Sequence, residues 1–312
     1  MTRSDQPEWA ALTKDPDKAL RYADDTHFRE GLSLVSRVLG DDWEKTIFDV
    51  ALIVIKPDAI ATGKQDIIVN YYLNHGFSFI DVEPVLIDRL TSRELWRYQH
   101  TLGTPDRLAV EDIVLQSQPS LVCIARGPLS ETPATVRANA LKGAADVFGK
   151  EETLRSLLER PNPLFSMLHT SDEPADLLRE TAVLLPPRTR MRFLEALNRS
   201  AASSHAATLL TLSTVPSTAV RIDLNESTHR LEEVLSAFCR IQGFELVAGR
   251  ALSLLRAAEA GSALPWFDFV GYLDALPVRF SPWDLAIVGS SYVASDIPGA
   301  TKLVGKIGPS SW

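Results

Sequence analysis

The stretch LFSMLHTSDEPADLLRE, residues 164–180, decides how this chain is read. An apolar run, Leu164, Phe165, Met167 and Leu168, stops at His169; a turn-rich Thr170-Ser171-Asp172-Glu173-Pro174 follows, and a helical pattern starts at Ala175. An imidazole thus stands where a buried strand meets a helix. A strand end holds the ring rigidly, while the turn leaves one nitrogen open to a substrate. Glu180, inside the helix, can return to hold the other ring N–H and fix the tautomer, which leaves the free nitrogen nucleophilic. Taken alone, a histidine that merely finishes a strand is the commoner case.

The next informative stretch is ALIVIKPDAIATGK, residues 51–64, where an apolar run reaches Lys56-Pro57-Asp58 and Pro57 closes the strand by removing a backbone donor. Between the two stretches lie Gly76-Phe77 after an amphipathic segment, Tyr98 in ELWRYQH, an apolar run at 121–125 followed by Arg126-Gly127-Pro128, and Thr153-Leu154-Arg155. Periodicity predicts a strand from 51, a helix at 65–74, a strand at 77–87 and short helices at 92–99 and 106–116. A strand at 121–125, a helix at 133–143, a strand at 164–168 and a helix at 174–184 follow. That βαββαβ order predicts an α/β (α+β) fold, a ferredoxin-like antiparallel sheet with helices on one face. Residues 143–163 lack periodicity and read as a loop over the site.

Together these segments resemble the nucleoside diphosphate kinase family, whose first strand ends in Lys-Pro-Asp and whose phosphorylated histidine opens a His-Gly-Ser-Asp turn. Here the turn reads His169-Thr170-Ser171-Asp172, and the resemblance covers residues 48–185. It implies a phosphotransferase that moves the γ-phosphate of a nucleoside triphosphate such as ATP, through a phosphohistidine, to a nucleotide or an altered small acceptor. His169 would be the nucleophile, Glu180 its orienting acid and Lys56 a catalytic cation on the phosphate. Tyr98, Arg137, Arg155 and Ser171 would contact phosphate or nucleotide, Arg160 competing with Arg155. Asp172 would hold Mg²⁺ through water, since magnesium keeps several waters and needs few carboxylates.

The departures point elsewhere. Asp106 stands where the family stacks a phenylalanine on the base; Asn139 and Ala145 replace an arginine and a threonine around Gly143, with Arg137 near enough to substitute; Ser166 and Thr170 replace an asparagine and a glycine beside the histidine. They favour the alternative, a catalytically weak or inactive pseudoenzyme serving as a binding or assembly module. Survival of Lys56, His169 and Glu180 favours catalysis.

The rest of the chain bounds these readings. With 312 residues, 45% of them hydrophobic, there is material for two domains and a sizeable core. A net charge of -8 lacks the basic footprint of a nucleic-acid binder, so any phosphate site must be a local basic pocket. Cys123 and Cys239 form no Cys-x-x-Cys pair and read as free thiols. A charged N-terminus and no apolar run of membrane-spanning length predict a cytoplasmic protein without a membrane partner.

Residues 1–47 read as a helical extension on the sheet edge and 48–185 as the first domain. Residues 186–216 read as a helical linker and 217–312 as a degenerate, truncated copy of the first domain. In that copy Asp223 falls at the place of Lys56, Gly243-Phe244 at that of Gly76-Phe77, and residues 285–288 at that of the strand at 121–124. Such a copy would act as a built-in partner, an intrachain pseudo-dimer, with further homo-oligomers left open.

Overall fold

The computed structural model describes residues 8–143, 153–197, 208–209, 211–212, 220–305 and 308–312. At its centre are four strands, β1 (Val50–Ile55), β2 (Ser78–Val85), β3 (Ser120–Arg126) and β4 (Leu168–Thr170), in the order β2-β3-β1-β4. Every neighbouring pair is antiparallel. Between β1 and β2 run α4 (Pro57–Ala61) and α5 (Gln65–Asn74), and between β3 and β4 run α8 (Ala134–Lys142) and α9 (Leu154–Leu157). The connection from β2 to β3 holds α6 (Arg89–Leu95) and α7 (Pro105–Leu115), so the mixed α/β sheet has the expected βαββαβ order.

Helices cover both faces of the sheet, where one covered face was expected. Val50, Leu52 and Val54 of β1 enter a core with Phe28, Val35, Leu177 and Leu178; these come from α2 (Thr26–Leu39) and α10 (Pro174–Leu184). The intervening Ala51, Ile53 and Ile55 face Ile68, Tyr72, Ala138 and Leu154 on the other side. A strand buried on both faces reads as an unbroken apolar run, which is why VALIVI does not alternate with polar residues.

The N-terminal segment lies along α10 and not on the sheet edge. Asp15 caps α1 (Pro16–Asp24) by accepting from Asp17 and Lys18 amides, and Asp25 caps α2. Gly31 of α2 sits so close to the carbonyl of Leu178 that a Cβ there would collide with backbone. Lys18 Nζ lies 2.6 Å from Glu173 and 2.7 Å from Asp176, all three side chains buried. After α3 (Trp43–Phe48), the chain enters β1.

The second half departs from the expected copy. From residue 220 the described residues contain α12 (Leu224–Phe238), α13 (Glu245–Glu259), α14 (Trp266–Asp274) and α15 (Pro282–Tyr292), and no strand of the sheet. The anticipated strand at 285–288 lies within α15, and Asp223 caps α12 by accepting from the Glu226 amide. A short apolar run cannot by itself separate a strand from a buried helix. Here Ser281 as cap and Pro282 in the first turn are the start signals that decide for helix. Residues 217–219 at the start of the expected copy, and most of the proposed linker beyond α11 (Pro187–Leu197), fall outside the described residues. α15 packs on α7, with Gly289 against Val110 and Trp266. Among the described residues no helix is long and apolar enough to cross a membrane. Cys123 and Cys239 are free, and burial pushes the Cys123 thiol upward.

Candidate functional site

β4 begins at Leu168, four residues later than the apolar run suggests. Asn162 accepts from the amides of Leu164 and Phe165, and Met167 adopts a left-handed backbone with φ 62. That conformation is unusual for a long side chain. It is held by Asp58, which accepts the Met167 N–H at 2.8 Å, and by the Met167 carbonyl, which accepts from Lys56 N–H at 2.9 Å. Burial pushes the Asp58 carboxyl upward, with Lys56 opposing. The apolar residues at 164–167 therefore serve the core from a loop, and His169 stands inside the strand.

Val54 of β1 pairs with His169, and Lys56 lies two residues further on. Alternation along β1 thus puts Lys56 and His169 on one face. Nε2 of His169 lies 2.9 Å from Oε2 of Glu180, an oxygen that also accepts from Ser171 Oγ at 2.6 Å. A carboxylate at Nε2 places the proton of the neutral ring there and leaves the lone pair on Nδ1. Trp96 donates its indole N–H to that Nδ1 at 3.4 Å, its ring edge-on to the imidazole. Lys56 Nζ lies 5.3 Å from the centroid of the same indole and donates to Ser166 Oγ at 2.8 Å.

These groups border a cavity of about 160 Å³. Lys56, Arg107, Arg155 and Lys302 supply positive charge to its wall, and Glu111 is the carboxylate among the lining residues. In a chain of net charge -8 this is a local basic pocket suited to an anion. Arg155 donates to the carbonyls of Gly143 at 2.9 Å and Leu168 at 3.3 Å. Burial, with Arg160 adding to it, lowers the Arg155 guanidinium to about 10. Arg160 does not line the cavity.

The other expected site residues are directed elsewhere. Tyr98 donates to Asp25 at 3.0 Å under the guanidinium of Arg179, and so ties the turn after α6 to the N-terminal helices. Arg137 donates to the carbonyls of Thr132 and Pro128, Ser171 to Glu180, and none of the three lines the cavity. Asp106 accepts the Trp266 amide at 3.3 Å. Asp172 is half-buried outside the wall, and among the described residues no group of three or more His, Cys, Asp or Glu is placed to hold a metal.

Several lining residues escaped the sequence reading: Trp96, Gln99, His100, Arg107, Glu111 and Lys302. His100 Nε2 lies 3.2 Å from Glu111 Oε2, and the His100 ring packs on Trp96. Burial pushes the Glu111 carboxyl up, but His100, Lys56 and Arg107 outweigh it and hold the group at about 2. The four-residue spacing of Trp96 and His100 was the available signal. Lys302 had none, because it arrives on a strap, residues 294–305, that runs beside residues 98–104. Ile297 N–H bonds Leu102 at 2.7 Å, Leu303 N–H bonds Tyr98 at 2.9 Å, and Thr101 Oγ1 bonds Thr301 at 2.9 Å.

No family model matches the chain. Over 257 residues, 74% of this chain, it is 25% identical to the thioredoxin domain-containing protein 3 homolog of Heliocidaris crassispina. The chain spans about 30% of the length of that curated relative. A thioredoxin-type dithiol needs Cys-x-x-Cys, and this chain has none. Among solved structures, a halophilic nucleoside diphosphate kinase from Halobacterium salinarum in complex with CDP matches at a TM-score of 0.35 and 22% identity, over 44% of this chain and 91% of that one. At that score the likeness carries no conclusion about function.

Proposed function

We propose that this chain is a phosphotransferase in which His169 takes the γ-phosphoryl group of a nucleoside triphosphate and passes it to a second acceptor. The observation that supports this reading is the His169–Glu180 couple at 2.9 Å, opening beside Lys56 and Arg155 in one basic cavity. Nδ1 attacks phosphorus in line, the bridging P–O bond breaks, and the nucleoside diphosphate leaves with the electron pair. The ring keeps its Nε2 proton, becomes positive, and is stabilised by the carboxylate of Glu180. Lys56 and Arg155 face the charge that gathers on the equatorial oxygens. Any magnesium would come on the nucleotide's own phosphates, since among the described residues no cluster of three or more ligating side chains is placed to hold it. Trp96 must release Nδ1 first; at 3.4 Å its hydrogen bond is at the long end of the range and easily displaced.

Incubation with γ-labelled ATP followed by acid and base treatment tests the reading, because phosphohistidine is acid-labile and base-stable. The expected result is label on His169, absent in His169→Ala and formed more slowly in Glu180→Gln. Label that persists in His169→Ala would refute it. The second reading, a binding module, is favoured by the indole N–H seated on Nδ1 and by the commitment of Tyr98 and Arg137 to other partners. It expects ATP binding without label.

A further inference from the structure

The strap at 294–305 is fixed to the rest of the protein on both sides of Lys302. Thr101 Oγ1 donates to the Thr301 carbonyl at 2.9 Å, and the Leu303 amide donates to the Tyr98 carbonyl at 2.9 Å. Further on, the Leu303 carbonyl accepts from Arg21 at 3.0 Å, Val304 is buried in the core, and the Gly305 amide donates to Asp15 at 2.9 Å. The backbone at Lys302 is thus held in place, while the residue itself is exposed and borders the cavity.

The other three cations of the wall are engaged. Lys56 donates to Ser166, Arg155 to the carbonyls of Gly143 and Leu168, and Arg107 pairs with Asp296 of the strap at 2.5 Å. Glu111, the carboxylate of the wall, is faced by His100, Lys56 and Arg107. Among the described residues no hydrogen bond or ion pair takes up the Lys302 ammonium. A lysine brought to a wall that already holds three cations meets repulsion there, and an anion in the cavity reverses the sign.

The four cations divide by what holds them. The Lys56 amide donates to the Met167 carbonyl and the Arg155 guanidinium to that of Leu168, so both belong to the segment that leads into His169. Lys302 and Arg107 belong to the strap and to α7. A γ-phosphoryl group at His169 is therefore served by Lys56 and Arg155. The rest of a triphosphate chain carries further negative charge, and Lys302 is the cation of the wall with its charge still to spend.

We propose that Lys302 binds the α- and β-phosphate oxygens of the nucleotide, so that the strap selects donors with a phosphate chain over donors that offer one phosphoryl group. This rests on the phosphotransferase reading above. As Nδ1 of His169 bonds to the γ-phosphorus, the bridging oxygen leaves with the electron pair on the β-phosphate, and the Lys302 ammonium faces the charge gained there. A point charge on a flexible stem can follow that group as it withdraws.

The test compares two donors on the full chain: γ-labelled ATP, and labelled phosphoramidate, which offers a single phosphoryl group. Label on His169 is read as the difference from His169→Ala. In Lys302→Ala, checked for folding by circular dichroism, the half-saturating ATP concentration should rise about tenfold, as expected for one lost charge-assisted contact. The ratio of ATP to phosphoramidate labelling efficiency should fall by about the same factor, and Lys302→Arg should recover most of it. A merely structural lysine would lower both donors together; an unchanged ratio, or an unchanged half-saturating ATP concentration, would overturn the proposal. Equilibrium titration of ATP onto His169→Ala, with and without Lys302→Ala, needs no transfer and should show the same roughly tenfold loss of affinity. That loss in a protein whose wild type takes no label on His169 would overturn the phosphohistidine reading and support the Lys302 contact. Equal affinities in the titration would overturn the contact whatever the label shows.

Discussion

Replacing Lys18 by Met should destabilise the protein by about 3–5 kcal/mol, because it strips the cation from two buried carboxylates at once. Lys18 Nζ lies 2.6 Å from Glu173 and 2.7 Å from Asp176, with side-chain exposures of 1%, 0% and 4% for the three groups. Glu173 retains the Thr13 hydroxyl and the Lys14 amide, and Asp176 retains the Tyr22 hydroxyl, but neither retains an opposite charge in contact. The pH dependence follows from the signs. Burial already lifts Asp176 to about 6 against the pull of Lys18. Between the ordinary 3.8 and that value the folded state binds more protons than the unfolded one, so stability falls as pH rises through the window.

Without Lys18 the window extends upward, each pH unit within it changing stability by up to about 1.4 kcal/mol. Urea unfolding at pH 8 and pH 5 should therefore show a shifted midpoint at unchanged slope, with the larger loss at pH 8. Adding Asp176→Asn should restore about half of the loss at pH 8. A loss under about 1 kcal/mol at pH 8, or one that does not shrink at pH 5, would refute the reasoning.

Trp96→Phe keeps an aromatic ring but removes the N–H that His169 Nδ1 accepts; losing a neutral hydrogen bond of about 0.5–1.5 kcal/mol should speed phosphoenzyme formation roughly two- to tenfold, read by rapid quench. Gly31→Ala should destabilise by about 1–3 kcal/mol in thermal or urea unfolding, because its Cβ would meet the Leu178 carbonyl rather than a movable side-chain tip. ATP, GTP and CTP should label the enzyme at rates within a few-fold of one another, since Asp106 offers no face for a base to stack on; a strong preference for one would count against that.

What could be read from the chain was what is local. The β1 run, the Lys-Pro-Asp corner and the helix at 174–184 each carry their own start and stop signals, and they place Lys56, His169 and Glu180 without knowledge of the rest. The strand start at Leu168 was hidden because Phe165 and Met167 are apolar for burial, while a left-handed Met167 and an aspartate over a hundred residues away break the strand geometry. Tyr98 was misassigned because its ring is buried either way, and only the position of Asp25 decides where the hydroxyl points. The helical second half was misread as a copy because Leu-Ala-Ile-Val satisfies a strand and a buried helix equally, and the Ser281-Pro282 start went unweighed. Lys302 and Glu111 join the site through tertiary packing alone.

The strap that carries Lys302 has a temporal consequence. On a ribosome the chain emerges N-terminal end first, and the sheet with His169 and Lys56 can form while residues 294–305 are still being made. Until residues 294–305 reach residues 98–104, that sheet has His169 and Glu180 in hand but an open flank and one cation fewer in its wall. The cavity is therefore closed only once residues 294–305 have been made and docked, and a nascent chain that has not reached them carries the nucleophile without its enclosure.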